Sequence, residues 1–251
     1  MTGGNWKFHS AFSLLSLIAI TSLMLVPVEK LVSVDTGLSP LAIRAVALIN
    51  PAMLMIAALT AGHFLAPKVG LDAPFIRSWA SGKTDFTVLG KQLGPGLAGA
   101  ILVAILLFLH GSFSQPRIEA AASPEAAALI EFGLPPGTRL LYGGIGEEII
   151  MRWGLMSLVA WTGWRMIGRT TFLSPSTMWA AIAITALLFG LGHLPFAFAI
   201  MDNPSSVIIG AIIGSNAVAA TIFGWLFWKY GLESAMFAHI GAHIIGIVAG
   251  T

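Results

Sequence analysis

Seven apolar runs of about twenty residues each leave this chain few folds to choose from. At 1.5 Å per residue, roughly twenty helical residues cross a hydrocarbon core of about 30 Å. By that ruler the spans fall at approximately 11–28, 41–66, 95–112, 138–161, 178–200, 207–228 and 232–250. Only 10% of the 251 residues are charged, where soluble domains carry about 25%. A helix satisfies its own backbone hydrogen bonds, as hydrocarbon demands. The expected fold is therefore an all-α polytopic membrane protein, a bundle of about seven or eight transmembrane helices.

The first run follows Lys7 and extends to Val26, like a signal peptide, but Pro27-Val28-Glu29-Lys30 follows it in place of a small-x-small cleavage site. It is expected to be an uncleaved first span. Eight Lys and Arg, among them Lys7, Lys68 and Lys229, fall on the side of the N-terminus; Lys30, Arg44, Arg117 and Arg139 fall opposite. This bias puts the N-terminus in the cytoplasm, with a prokaryotic cytoplasmic membrane as the expected location. A net charge of +2, spread along the loops, gives no nucleic-acid surface. With no cysteine in the chain, any metal must be held by His, Glu or Asp.

The chain reads as one membrane domain over 1–251, with three generic spans in 1–112 and the chemistry in 138–250. Pro51 predicts a kink in the second span. Phe75 to Trp79 suit a short interfacial helix in the loop 67–94. Ser123-Pro124-Glu125 resembles a helix start, so a short surface helix over 126–132, stopped by Gly133, is expected, with a partial lid over the bundle as the alternative.

The functional candidates lie inside the apolar runs. Each charge near a bilayer centre costs about 2.5–3.5 kcal/mol on insertion scales, yet Glu147, Glu148 and Arg152 sit together in the fourth run. Glu148 and Arg152, four apart, can pair on one helical face, which leaves Glu147 as the titratable group. Gly143, Gly144 and Gly146 thin one side of that helix for close approach. Pro195 cannot donate to the carbonyl of Leu191, so a kink is expected beside His193. His239 and His243 share a face at i and i+4, the spacing of helical zinc pairs. Helical rise puts Glu147, His193, His239 and His243 at similar depths of ~10–17 Å, so one wet polar cavity between spans four, five and seven is expected. His9, His63 and His110 read as interfacial.

These motifs resemble those of the CPBP intramembrane proteases, also called the Abi or CAAX-protease family, which includes CAAX prenyl protease 2 type enzymes and bacteriocin-processing or self-immunity proteins. Glu147-Glu148 with Arg152 matches its E-E-x-x-x-R motif, Phe189 to His193 its F-x-x-x-H motif and His239 its third histidine motif. The resemblance covers roughly 138–250. It implies hydrolysis of a peptide bond in a membrane-associated protein or peptide, either a prenylated protein or a leader peptide. Glu147 would be the general base, His193 would hold the water or a metal, and His239 would bind metal or stabilise the oxyanion. Prenyl-protease members usually carry asparagine where this chain has His243, which makes a more metal-rich site plausible. A divalent metal such as zinc on Glu147, His193, His239 and His243 and a metal-free, glutamate-activated water use the same residues. Intramembrane Glu and His also serve proton-coupled transporters, and a catalytically silent binding or immunity protein could keep the motifs for packing.

Overall fold

The computed structural model describes residues 5–31, 37–121, 134–168, 173–201 and 203–250. Its elements are helices in the order α1 (Asn5–Ser22), α2 (Pro40–Ala47), α3 (Ile49–Leu65), α4 (Pro74–Ala80), α5 (Phe86–Ala121), α6 (136–166), α7 (Pro175–Gly192), α8 (Leu194–Ile200), α9 (Ser206–Tyr230) and α10 (Leu232–Ala249). Six helical stretches are long and apolar enough to cross a membrane: Trp6–Leu25, Pro40–Val69, Phe86–Arg117, Pro175–Ala199, Ser206–Tyr230 and Leu232–Ala249. The fourth expected span is helical throughout as α6 but is not one of these six, because charged residues interrupt it. It lies inside the bundle, against α1, α3 and α10. The protein is thus an all-α, multi-pass membrane protein.

Local sequence explains most boundaries. Ser39, Ser174 and Ser205 each accept a hydrogen bond from the backbone N–H three residues on, capping α2, α7 and α9, and Pro40 and Pro175 occupy first helical positions. The second span breaks at Leu48, between α2 and α3. Pro51 cannot donate to the carbonyl of Ala47, the last residue of α2, so the expected kink falls there. The third span begins nine residues earlier than expected, because Asp85 accepts from the backbone N–H of Thr87 at 2.8 Å and starts α5 at Phe86. The short helix expected over Phe75 to Trp79 is α4; it buries Ile76 and Ala80 and leaves Trp79 exposed. The helix expected over 126–132 lies outside the described residues.

Two polar ties fasten the ends of the bundle. Arg44 of α2 reaches Glu29 through Nε at 2.8 Å and Nη2 at 2.5 Å, and this hydrogen-bonded guanidinium holds the Glu29 carboxyl down at about 2. At the opposite end, buried Glu233 accepts from the backbone N–H of Ile76 at 2.9 Å and from Gln92 Nε2 at 2.7 Å, joining α4, α5 and α10. The core between them is aromatic. Trp153 is fully buried and stacks on Phe12, with ring centroids 4.7 Å apart.

Candidate active site

The carboxylates stand on a helix of unusual winding. After one α-helical turn, Pro136–Thr138, α6 is π-wound over Arg139–Glu147 and again over Ile149–Met156, and returns to α-helix at Ser157–Met166. A 3.6-residue period is the expectation for this run, and the structure corrects it. π-Helix, with its i→i+5 bonds, usually occurs as a single turn and often at functional sites. The glycines at 143, 144 and 146 carry little α-propensity, so tertiary packing dominates the local winding. A Cβ on Gly144 would lie 2.3 Å from Ile240 Cγ1, and one on Gly143 would lie 2.8 Å from His243 Nε2. The backbone of α6 therefore rests directly against α10.

That contact brings Glu148 to His239. Glu148 is fully buried, and its Oε1 lies 2.8 Å from His239 Nδ1. Its Oε2 lies 3.2 Å from Arg152 Nε, an ion pair that falls short of hydrogen-bond alignment, so Oε2 itself has no hydrogen-bond partner. Arg152 Nη2 donates to the carbonyl of Ala220 at 3.1 Å, and the guanidinium packs 5.1 Å from the Phe189 ring and 5.4 Å from the Phe223 ring. The expected Glu148–Arg152 pair is present. The tie from Glu148 to His239 is an addition that spacing along the chain does not contain.

The helix break expected near Pro195 falls at His193, between α7 and α8. The His193 backbone N–H bonds to Gly190, three residues back, and His193 Nδ1 lies 2.8 Å from the Phe189 carbonyl. A carbonyl only accepts, so His193 Nδ1 carries the proton; an ionised Glu148 likewise makes His239 Nδ1 the donor. In the neutral imidazoles, both Nε2 atoms then keep a lone pair. His239 is further fixed between Phe223, at 4.6 Å, and His243, at 4.8 Å between ring centroids.

Glu147, His193, His239 and His243 all line one cavity of about 150 Å³, large enough for several waters. Glu148 and Arg152 are not in its lining; they stand behind His239. Tyr142, Arg139 and Asn216 also line it, and sequence reasoning missed all three. Asn216 had a legible signal, as the one amide within the apolar run of α9; its Nδ2 donates to Ile212 O at 2.9 Å. Leu134, just before α6, also lines the cavity.

A tetrahedral metal needs at least three protein ligands converging on one point. Among the described residues no three His, Asp or Glu side chains do so. The set Glu147, His193, His239 and His243 shares a cavity without forming that geometry. It does not fit the ion in this arrangement.

No curated protein and no solved structure matches this chain. Residues 136–245 match the family described as type II CAAX prenyl endopeptidase Rce1-like. The matched stretch runs from the start of α6 into the last turns of α10 and contains Glu147, Glu148, Arg152, His193, His239 and His243. The matched segment, 110 of the 251 residues, is thus similar to the CPBP (Abi/CAAX) membrane proteases.

Proposed function

We propose that the protein is an intramembrane endopeptidase that hydrolyses a peptide bond of a membrane-associated protein or peptide with water activated by Glu147. The observation that carries this reading is the shared cavity, in which Glu147 stands with two imidazoles whose Nδ1 atoms are already engaged. Glu147 takes a proton from water, and the hydroxide adds to the scissile carbonyl carbon. His193 positions that water through Nε2. His239, when protonated at Nε2, is an imidazolium held by Glu148; it stabilises the oxyanion and delivers its proton to the leaving nitrogen. Asn216 supplies from α9 an amide in the same cavity, in a chain that carries His243 where prenyl-protease members usually have asparagine. The Lys and Arg bias of the loops supports a cytoplasmic N-terminus.

Glu147→Gln is the direct test, in liposomes with a candidate substrate. Glu147 makes no ion pair among the described residues, so the melting temperature should stay at the wild-type value. Cleavage should fall by at least about 100-fold, the scale of a lost general base. Activity close to wild type in the folded variant would overturn the assignment.

A further inference from the structure

A second and larger cavity, of about 560 Å³, lies between the start of α1, the end of α3, and α4, and shares no lining residue with the first. We propose that it binds the phosphate of an anionic phospholipid headgroup. Its wall carries hydrogen-bond donors, Arg77, His63, His9, Ser13 and Trp153, and no Asp or Glu.

Two of these donors lack partners. Trp153 is fully buried, yet its Nε1–H bonds to nothing in the protein, and the same holds for His63 Nδ1. Both atoms are closed off from solvent, so the Trp153 and His63 rings shape the wall, and the donors that face an occupant are those of Arg77, His9 and Ser13. His63 is expected from sequence to be interfacial, but it is partly buried, with ring centroids of His9 at 4.0 Å, Phe12 at 5.4 Å and Trp153 at 5.9 Å. Trp153 leaves no room for a side chain at position 62, since a Cβ on Gly62 would lie 2.3 Å from Nε1.

Arg77 supplies the charge. Asp72 takes its Nε and Nη2, at 2.8 and 2.6 Å, and the guanidinium lies 4.8 Å from the Phe8 ring centroid. Nη1 has no partner among the described residues, so an oriented guanidinium keeps a donor in reserve, a form suited to phosphate. Lys7 and Lys68 are exposed on the flanking ends of α1 and α3 and add to the positive field. Position selects a lipid over a free anion. The cavity lies at the neighbouring ends of the spans Trp6–Leu25 and Pro40–Val69, and Phe64 in its wall is 67% exposed; Leu17 and Ile56, further along the same helices, are exposed too. Acyl chains have an apolar surface to follow directly from the phosphate.

The test uses the full chain in detergent micelles, with thermal unfolding followed as short-chain phosphatidylglycerol, phosphatidylcholine or inorganic phosphate is titrated. Phosphatidylglycerol should raise the melting temperature saturably, and the other two should not. Arg77→Gln should raise the half-saturating concentration about tenfold or more, as expected for losing a charged hydrogen bond. Ser13→Ala, at an exposed position, should raise it less, and Asp72→Asn should leave it unchanged or lower it. An equal response to phosphatidylcholine, an inorganic phosphate response that matches the lipid, or an unaltered Arg77→Gln titration would each overturn the proposal.

Discussion

Among the described residues Arg152 forms one ion pair, with Glu148. The guanidinium is 3% exposed, and the fully buried Glu148 beside it answers both to Arg152 and to His239. Removing one member of such a pair leaves the other charged and dry, at a cost of about 3–5 kcal/mol. Arg152→Met should therefore lower stability by that order in a denaturant or thermal melt, and should slow cleavage as well, because Glu148 loses one of the two contacts that aim it at His239. A variant as stable as wild type would show that the pair contributes nothing. At this scale the sequence was half informative. Four-residue spacing on one helix makes Glu148–Arg152 legible, whereas Glu148 and His239 are 91 positions apart and meet only because two helices touch.

The touching surface of α6 and α10 is made of glycine on one side and Ile240 and His243 on the other. Gly144→Ala forces a methyl to within 2.3 Å of Ile240 Cγ1, and overpacking of this kind costs about 1–3 kcal/mol. We expect a lower melting temperature together with reduced cleavage, since Glu148 would move away from His239. Gly94→Ala, where an added Cβ meets nothing within 4 Å, should leave both unchanged. A Gly144→Ala protein indistinguishable from Gly94→Ala would refute the contact. The glycine cluster announces close approach in the sequence, and Pro51 and Pro195 announce their breaks, since each effect follows from a single residue's backbone. The π winding of α6 was not announced, because it is a compromise among three neighbouring helices.

Across the whole molecule, the spans were legible because hydrocarbon imposes a length and a polarity on whatever crosses it. The uncertain part was α6, whose charges violate the rule that reveals the others. The proposed orientation is checked with single cysteines in this cysteine-free chain. Lys83→Cys, in the exposed turn before α5, should react with an impermeant maleimide only after the cytoplasmic side is opened, and Asn203→Cys, exposed between α8 and α9, should react from outside. The reverse pattern would invert the topology. The charges of α6 also bear on how the protein is made. A segment with Glu147, Glu148 and Arg152 within six residues is a poor candidate for entering the bilayer alone, and the residue that completes its ion network, His239, is synthesised last. The residues that line the candidate site thus come together only once α6 and α10 are both in place.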